Sequence, residues 1–367
     1  MKVAIIHYWL VNLRGGEKVL EALCELYPEA DIYTHIYVPE AFSQSVISQH
    51  RIFQSFISKL PRANVWYQNY LPLMPLALEQ FDLSDYDLVI SSESGPAKGV
   101  IPAPGRPHIC YCHSPMRYAW DMYHNYKKRC GWFKRLLMVP LLHYIRRWDQ
   151  LSSMSVSYFV ANSHFVAGRI QSFYHRSAHV IHPPVDFDEF QPTNRPPEEF
   201  YLLLGQLVSY KKADLAVRAF NASGRYLKVV GEGEQLQELR RMAQSNIEVL
   251  GRLSFEEIKI LLANCKALIF PGVEDFGIVP LEAMSSGRPV IAYREGGAVE
   301  TVKENISGLF FDQQTAHDLN QAIERFEQSY EQFDSYSIRR YAAQFSKDRF
   351  KQQFSDYIDQ IMKDYSF

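Results

Sequence analysis

The sequence predicts an α/β protein of two domains, each built on a parallel β-sheet with helices packed around it. Three observations support this prediction. The chain has 367 residues, of which 47% are hydrophobic, and this is more than one hydrophobic core usually holds. Short apolar runs alternate with helical stretches, as a parallel sheet requires. A proline-rich stretch near the middle lacks periodicity and divides the pattern into two series.

The first series begins as a βαβ unit. An apolar run at 3–10 predicts a strand, Gly15 and Gly16 open a periodic helix over 17–26, and 31–37 predicts the next strand. The further strands of this series are predicted at 86–92, 108–113, 158–162 and 179–182.

The interdomain linker is predicted at Pro183 and Pro184 and the stretch 191–197, so we place the domains at 1–190 and 191–346. The second series comprises strands at 201–207, 227–230, 247–250, 268–270, 290–293 and 309–311, with helices at 213–220 and 255–264. A last amphipathic helix is predicted over 347–362.

Composition and charge argue against nucleic acid as a partner and against a membrane-spanning segment. The net charge of −2 and the isoelectric point near 6.6 give no general attraction to nucleic acid. No apolar run approaches the roughly 18 residues of a membrane-spanning helix, so a soluble cytosolic protein is expected. The cysteines form no C-x-x-C pair and are expected to be reduced: Cys24, Cys110, Cys112, Cys130 and Cys265.

The most specific candidate site lies in 270–297, where Glu274 and Glu282 stand eight positions apart. Apolar runs on either side predict two buried strands, and Pro280 predicts the first position of a short helix between them. Helix N-termini at the carboxyl ends of parallel strands offer N–H groups to anions, so the segment from Asp275 to Val279 is expected at a ligand. Taken alone, Glu274 is better explained as a solvated loop charge and Glu282 as a residue that satisfies the helix start, whereas the two acids together, with the glycine turn and the proline, favour a ligand site.

This region resembles the E-x7-E region of the retaining glycosyltransferases of family 4, which have the GT-B fold: two facing Rossmann-like domains with parallel sheets and an interdomain cleft. In that family the first acid meets the hexose of a nucleotide-sugar donor and the second acid meets the ribose. The resemblance assigns these roles to Glu274 and Glu282. It also implies that backbone N–H groups lie near the sugar and phosphates, namely those of Phe276, Gly277 and Ile278.

Lys211 and Lys212 follow a predicted strand and precede a helix, which is the end of such a unit that faces phosphate. A departing diphosphate gains negative charge, so cations placed there lower the barrier. The segment resembles the family's G-R-L-x-x-x-K pattern, with Lys211 in the place of the lysine. Gln206 stands where the family usually has arginine, and whether Lys212 compensates is open. Lysines at a helix start are also often simply solvated.

Three weaker features fit the same donor pocket. Gly15 and Gly16 let the backbone approach a bound group, and they resemble the family's N-terminal glycine loop near acceptor and phosphates. Gly231 follows a strand, where a tight turn explains it equally well. Arg252 resembles part of the family's base-contacting turn, and it could also be a surface charge.

The run C-H-S-P-M-R-Y-A-W-D at 112–121 and the run H-P-P-V-D at 182–186 resemble a mannosyltransferase-like subgroup of family 4, and the resemblance covers nearly the full chain. It assigns His113 to the donor hexose and Arg117 to the acceptor side of the cleft. Without the resemblance, a histidine at a strand end is most often hydrogen-bonded to backbone.

Asp186, Phe187 and Asp188 spell D-x-D, a motif that holds a metal on the donor diphosphate in other glycosyltransferases. We reject a metal site here, because the motif lies in the predicted linker and the resembled family requires no metal. No cofactor is expected besides the nucleotide-sugar substrate.

The segment 126–149 carries seven Lys or Arg residues against one Asp. With Trp132, Phe133 and Trp148 among the cations, it could lie on an anionic membrane surface, where a lipid-linked acceptor would be found. A core helix with a solvated basic face is an equally good interpretation.

The sequence thus favours a metal-independent, retaining glycosyltransferase in the cytoplasm, peripheral at most on the inner face of the cytoplasmic membrane. It would move a hexose, best assigned as mannose from GDP-mannose, to a glycan or lipid-linked glycan in surface polysaccharide synthesis. The resemblance further implies that the C-terminal helix, within 347–367, packs back on the first domain.

Several alternatives stay open. A hydrolase-type nucleophile would need a second acid, such as Glu93, in the first domain. A sugar-nucleotide epimerase or a phosphorylase could use a similar scaffold, and Gln206 favours a non-catalytic sugar-nucleotide-binding module. A dehydrogenase is disfavoured, since neither domain contains a full G-x-G-x-x-G.

Overall fold

The computed structural model describes residues 1–124, 127, 131–193 and 195–365, with only the backbone of 133 and 134. The chain forms two compact units, Met1–Pro184 with Phe350–Phe367 and Val185–Arg349. Our predicted boundary at 190 lies six residues beyond the observed one. Val185 already belongs to the second unit, because its N–H donates to the Phe345 carbonyl at 3.0 Å and its side chain lies in that unit's core.

The first unit contains a seven-stranded parallel sheet in the order β3-β2-β1-β4-β5-β6-β7. Its strands are β1 (Val3–His7), β2 (Asp31–Thr34), β3 (Ile52–Gln54), β4 (Leu88–Glu93), β5 (His108–Cys112), β6 (Tyr158–Ala161) and β7 (Ala178–Val180). Its described α-helices, apart from the C-terminal one, are α1 (Gly15–Leu26), α2 (Ala63–Trp66), α3 (Met74–Glu79), α4 (Trp132–Ser152) and α5 (His164–Tyr174).

The second unit contains a six-stranded parallel sheet in the order β10-β9-β8-β11-β12-β13. Its strands are β8 (Tyr201–Leu204), β9 (Leu227–Val230), β10 (Ile247–Gly251), β11 (Leu268–Phe270), β12 (Val290–Tyr293) and β13 (Gly308–Phe311). The helices that follow in the chain are α6 (Ala213–Ser223), α7 (Leu236–Met242), α8 (Phe255–Asn264), α9 (Ile278–Ser285), α10 (Ala298–Thr301), α11 (Ala316–Gln328), α12 (Ser335–Ala342) and α13 (Lys347–Asp364).

Each sheet has a doubly wound strand order, in which the chain moves outward in one direction and then returns to continue in the other. The reversal lies between β1 and β4 in the first unit and between β8 and β11 in the second. Ligands of such sheets bind outside the carboxyl ends of the strands at this point. The topology therefore marks one place in each unit where functional side chains are expected.

The core of the first unit includes a stripe from α13. Phe350, Phe354, Ile358 and Ile361 are buried with the apolar residues of β1, β4 and α1. The spacing of 4, 4 and 3 residues keeps these side chains on one face of the helix, which explains its amphipathic sequence.

Three predicted strands end three residues early, among them 201–207, which is a strand only to Leu204. The run at 3–10 is a strand only to His7, and the run at 31–37 only to Thr34. Beyond these points a single bridge joins Leu10 to Tyr37, and Tyr8 and Leu10 remain buried as loop residues. Burial rather than strand pairing thus accounts for their apolar character.

No helix in the described part of the chain is both long and apolar enough to cross a membrane. Four cysteines are free and buried, namely Cys24, Cys110, Cys112 and Cys265. Cys130 lies outside the described residues.

Candidate functional site

Lys211 and Glu274 meet at the reversal point of the second sheet. Lys211 lies in the loop after β8 and Glu274 in the loop after β11, and these two strands are neighbours. Lys211 Nζ lies 2.8 Å from Glu274 Oε1, and the two side chains are 18% and 19% exposed. The pair is thus partly open to solvent at the place where the topology predicts a ligand.

Close backbone packing sets the spacing of the loops that carry this pair. A Cβ atom on Gly272 would lie 2.6 Å from Lys211 Cα, so no side chain fits between the two loops. Gly231, in the loop after β9, has a φ of +142°, and a Cβ there would lie 1.8 Å from the carbonyl oxygen of Gly205. Gly231 thus has a packing role whether or not a nucleotide contacts it.

The helix α9 starts beside Glu274. Gly277 is its N-cap, with a φ of +88°, and no side chain caps it. The first N–H groups of a helix have no acceptor within the helix, so those at Ile278 and Val279 are donors of the kind that bind anions. Asp275 and Phe276 lie in the loop that leads into this helix.

The start of α9 differs from our prediction. Pro280 is the third helical residue rather than the first, since the helix begins at Ile278. Pro280 is still in the first turn, where its missing N–H leaves no intrahelical hydrogen bond unmade. Glu282 is consequently the fifth helical residue and lies too far along to cap the helix start, which removes that alternative explanation.

The two lysines predicted on the phosphate side have different surroundings in the structure. Lys211 contacts Glu274, whereas Lys212 has a left-handed φ of +55° and is the N-cap residue of α6. Gln206, which stands at the usual position of the family's arginine, is exposed in the same loop. Arg252 is 80% exposed and lies 3.8 Å from Glu232, the geometry of a weak surface ion pair.

The first sheet has a polar cluster at its own reversal point. His7, the last residue of β1, and its register partner Ser92, one residue before the end of β4, contact each other through His7 Nδ1 and Ser92 Oγ at 3.1 Å. Ser92 Oγ also lies 2.8 Å from Nε2 of His113, which follows β5. Burial, and to a lesser degree the neighbouring His7, lowers the pKa of His113 to about 3, so its ring is neutral at physiological pH.

Gly16 lies at this cluster. A Cβ atom on Gly16 would lie 3.0 Å from the Tyr8 hydroxyl oxygen and 3.6 Å from His113 Nε2. Gly15 is the first residue of α1. The structure thus brings the predicted glycine loop and His113 together within the first unit. Arg117 lies in the loop after β5, where its carbonyl accepts a hydrogen bond from the Met122 N–H at 2.9 Å.

Glu93, the hydrolase-type nucleophile considered above, lies in a closed ion-pair network. Lys98 Nζ donates to Glu93 Oε1 at 2.6 Å, and the Lys98 and Ala97 N–H groups donate to Oε2 at 2.5 and 3.2 Å. Lys98 also contacts Asp149, and all three charged side chains are fully buried. A nucleophile must reach the substrate, so this position of Glu93 argues against the hydrolase-type alternative.

The D-x-D residues contribute to the structure of the second unit. Lys347 Nζ lies 3.9 Å from Asp186, and the Arg339 guanidinium lies 4.0 Å from the centre of the Phe187 ring. Among the described residues there is no group of three or more His, Cys, Asp and Glu placed to hold a metal ion.

Sequence reasoning did not single out His7, Ser92 or Gly272. Gly272 stands two positions before Glu274 and packs against the backbone of Lys211, but in the sequence Pro271 and Gly272 indicated only the end of a strand. The polar run Ser91, Ser92 and Glu93 at the end of an apolar strand was the available signal for a functional strand end.

Two protein-family models match the chain in succession. The model of Glycosyltransferase Family 4 matches residues 13–189, and the model of Glycosyl transferases group 1 matches residues 185–344. The meeting point of the two matches coincides with the division between the two units. Together the two models account for most of the chain.

Curated relatives include glycosyltransferases of several organisms. Human alpha-1,3/1,6-mannosyltransferase ALG2 is 26% identical over 338 residues, which cover 80% of this chain and 78% of the relative. An uncharacterised glycosyltransferase of Methanocaldococcus jannaschii is 33% identical over 129 residues, which cover 34% of this chain and 37% of the relative. The matches to four relatives, among them that protein and ALG2 of Dictyostelium discoideum, span only 37% to 57% of the relatives' lengths.

Solved structures share the fold. HepE of Anabaena in complex with UDP-glucose has a TM-score of 0.73 and 16% sequence identity, with 98% of this chain and 100% of that chain covered. Similarity at this identity bears on the fold alone, and it confirms the predicted α/β architecture of the GT-B class. With the two family models matching successive domains, the chain carries a glycosyltransferase family 4 domain over 13–189 followed by a glycosyl transferases group 1 domain over 185–344.

Proposed function

We propose that this protein is a retaining glycosyltransferase that moves a hexose, best assigned as mannose from GDP-mannose, to a glycan or lipid-linked glycan. The observation that carries the proposal is the Lys211–Glu274 pair at the reversal point of the second sheet, beside the start of α9. The pair supplies a cation and a carboxylate, and the start of α9 supplies N–H donors. These are the groups that bind a sugar diphosphate.

Each member of the pair has a part in the proposed reaction. A lysine ammonium has three hydrogens, so Lys211 can keep its bond to Glu274 and still donate to a diphosphate oxygen. Charge on the departing diphosphate rises as the sugar bond breaks, and Lys211 and the α9 N–H groups stabilise that charge. Glu274 accepts a hydrogen bond from a hexose hydroxyl and so orients the sugar, while Glu282 holds the ribose.

Retention follows if the acceptor hydroxyl attacks from the face that the diphosphate leaves, with a phosphate oxygen accepting its proton. The C–O bond to the diphosphate breaks, the C–O bond to the acceptor forms, and the proton moves to the leaving group, so charge and atoms balance. Such a step needs no protein nucleophile, which agrees with the burial of Glu93. We propose that it also needs no metal, because Lys211 and backbone N–H groups neutralise the diphosphate.

The donor assignment draws on relatives. A Mycobacterium tuberculosis protein named a GDP-mannose-dependent mannosyltransferase is 31% identical over 165 residues, which cover 37% of this chain and 43% of the relative. HepE, by contrast, was solved with UDP-glucose. The nucleotide is therefore the part of the proposal that most needs a direct measurement.

A thermal-shift screen with GDP-, UDP-, dTDP- and ADP-sugars tests the donor. A ligand at a hundredfold excess over its dissociation constant stabilises the protein by about 2.7 kcal/mol, so the correct donor stands out. We expect GDP-mannose to give the largest shift and the Lys211→Ala variant to lose most of it. Stabilisation by UDP-sugars without any by GDP-mannose would contradict the donor assignment.

Transfer itself is tested with the stabilising donor and a mixture of glycan and lipid-linked acceptors. The anomeric configuration of the product, read by NMR, must equal that of the donor. Addition of EDTA should leave the rate unchanged, and a rate restored only by Mg²⁺ or Mn²⁺ would contradict the proposed absence of a metal.

A membrane location of the acceptor is supported by the surface of α4. Trp132, Leu136 and Leu137 are 79%, 65% and 56% exposed on this helix, beside the exposed Arg135. Positions 126 and 128–130 of the predicted basic segment lie outside the described residues. We expect flotation with anionic vesicles at low salt, and its loss in a Leu136→Ser, Leu137→Ser variant. Equal behaviour with zwitterionic and anionic vesicles would contradict the charge-based part of this proposal.

A non-catalytic sugar-nucleotide-binding module is the second candidate, and exposed Gln206 in place of the family's arginine favours it. Such a module would show the thermal shift but no product with any acceptor. Replacement of Gln206 by arginine separates the two candidates, because a gain in transfer rate requires a working active site.

A further inference from the structure

Four polar side chains in the first unit form a chain of successive contacts that ends at His113. Glu17 Oε1 lies 3.5 Å from His7 Nε2, His7 Nδ1 lies 3.1 Å from Ser92 Oγ, and Ser92 Oγ lies 2.8 Å from His113 Nε2. Glu17, His7 and Ser92 are 4%, 0% and 0% exposed. Water therefore has little access to these three groups, and their hydrogens must be shared among the groups themselves.

The contact between Glu17 and His7 determines which ring nitrogen of His7 carries the hydrogen. The Nε2 atom of His7 is buried without a hydrogen-bond partner, and the Glu17 carboxylate is the charge beside it. A lone pair on Nε2 would face the negative charge, whereas an N–H dipole is attracted to it. His7 thus carries its hydrogen on Nε2 and presents a lone pair at Nδ1.

The contact between His7 and Ser92 determines to which neighbour the Ser92 hydroxyl donates its hydrogen. A serine hydroxyl has one hydrogen and two lone pairs. Since His7 Nδ1 can only accept, Ser92 donates its hydrogen there and accepts from its other neighbour. That neighbour is His113 Nε2, which must therefore carry a hydrogen. The opposite arrangement would place the lone pair of His7 Nε2 against Glu17.

We propose that Glu17, His7 and Ser92 form a relay that holds His113 in the Nε2–H tautomer, so that His113 Nδ1 accepts a hydrogen bond from a hydroxyl of the bound hexose. The three are positioning residues that act through His113. That the hydroxyl belongs to a hexose rests on the proposed function, whereas the tautomer of His113 does not. The low pKa of His113 keeps the ring neutral, so its tautomer is the property that the relay controls.

The same strand offers a matched control. Ser91, one position before Ser92 in β4, forms its own buried pair with His108, with Ser91 Oγ 2.9 Å from His108 Nε2. Neighbouring strand residues point to opposite faces of a sheet, so Ser91 does not take part in the relay. A Ser91→Ala substitution removes an equivalent hydroxyl from the same strand and should leave His113 unaffected.

The experiment is a long-range ¹H–¹⁵N correlation spectrum of the full chain labelled with ¹⁵N-histidine, which reports which ring nitrogen carries the hydrogen. A His113→Asn variant assigns the His113 signals. We expect the Nε2–H pattern in the native protein and in Ser91→Ala, a mixture of tautomers in Ser92→Ala, and restoration in Ser92→Thr, which keeps the hydroxyl. A native His113 in the Nδ1–H form, or an unchanged pattern in Ser92→Ala, would overturn the relay.

A second variant covers the case in which Ser92→Ala does not fold. In His7→Phe the ring is kept but the acceptor is lost, so the Ser92 hydroxyl is released to donate to His113. His113 should then shift toward the Nδ1–H form, a reversal that loss of packing alone does not predict. Retention of the native pattern would overturn the role of His7.

Kinetics test the contact with the hexose. One hydrogen bond of about 1 kcal/mol corresponds to a roughly five- to tenfold change, so Ser92→Ala should lower kcat/KM for the donor by about that factor. Affinity for the free nucleotide should not change. An unchanged kcat/KM alongside a changed tautomer would overturn the hexose contact. If the protein transfers no sugar at all, the proposed function fails while the spectra still decide the relay.

Discussion

The two units each contain a lysine–carboxylate pair near the carboxyl ends of central strands: Lys211–Glu274 in the second unit, and Lys98–Glu93, to which Asp149 adds a second carboxylate, in the first. Lys211 and Glu274 are 18% and 19% exposed, whereas Lys98, Glu93 and Asp149 are 0% exposed. The residue types and the position relative to the sheet are alike. Access to solvent and the number of protein partners distinguish a pair that can bind a ligand from one that holds the fold together.

The buried pair is closed by its neighbours. Asp149 accepts hydrogen bonds from Trp120 Nε1 at 2.7 Å and from the Tyr174 hydroxyl at 2.9 Å, in addition to its contact with Lys98. Glu93 accepts three hydrogen bonds. A buried charge is tolerated only when its hydrogen-bonding groups are satisfied, and here little capacity is left for a ligand.

The largest effect is expected from Asp149→Ala. The change leaves Lys98 with one carboxylate and removes the acceptor of Trp120 and Tyr174, so buried donors lose their partners. Breaking a buried ion pair from one side costs about 3 to 5 kcal/mol. Urea unfolding should show a loss of this size, and a loss below about 1 kcal/mol would mean that the network is not structural.

Lys211→Ala should show the opposite combination. Transfer should be nearly abolished, while stability falls by only about 1 kcal/mol, because the pair is partly exposed. Lys212→Ala is the matched control and should give an intermediate rate, since Lys212 does not hold Glu274. Wild-type turnover by Lys211→Ala, measured with saturating donor, would remove Lys211 from the proposed site.

The pH dependence of stability probes the buried pair. Burial raises the pKa of Glu93 from 4.5 to about 7, with Lys98 acting in the opposite direction and Asp149 adding to the rise. The folded state thus binds more protons than the unfolded state between pH 4.5 and 7, and the contribution of Glu93 to stability falls as pH rises through this window.

Glu93→Gln removes this titration. The free energy of unfolding of the native protein, minus that of Glu93→Gln, should fall by about 1 kcal/mol or more between pH 5 and pH 7. Urea unfolding at a series of pH values provides the measurement. A difference that rises with pH would show that the ion pair with Lys98 outweighs burial.

The smallest effect is expected from Arg252→Ala. The side chain is 80% exposed and its ion pair with Glu232 is long, so stability should change by less than about 0.5 kcal/mol. If Arg252 contacts the donor base, the dissociation constant of the nucleotide rises severalfold. An unchanged nucleotide affinity would leave Arg252 as a surface charge and would narrow the proposed site to the Lys211 and Glu274 region.

Much of the fold could be predicted because local sequence determines it. The predicted strands at 227–230, 268–270 and 290–293 and the predicted helix at 255–264 have the observed bounds. Strand β3 was missed, since it has only three residues, of which two are apolar, and this is too short to stand out as an apolar run. Local patterns thus reveal the buried strands and miss a short edge strand.

The site was only partly predictable. Lys211 and Glu274 could be proposed from strand ends and family resemblance, but their contact depends on the order of the strands. Lys98 and Asp149 are 51 positions apart, and His7 and Ser92 are 85 positions apart. Sequence spacing carries no information on such pairs, because tertiary structure brings them together: the pairing of β1 with β4 in the case of His7 and Ser92, and the packing of α4 against the loop after β4 in the case of Lys98 and Asp149.

The contribution of α13 to the first core has a consequence for how the chain acquires its structure during synthesis. Phe350, Phe354, Ile358 and Ile361 are translated only after the entire second unit. Until then, the apolar surface of β1, β4 and α1 that they cover has no partner from the same chain. Domains usually fold in the order in which they are synthesised, but here the first unit cannot complete its core until the second has been translated, so the second unit can finish its core first.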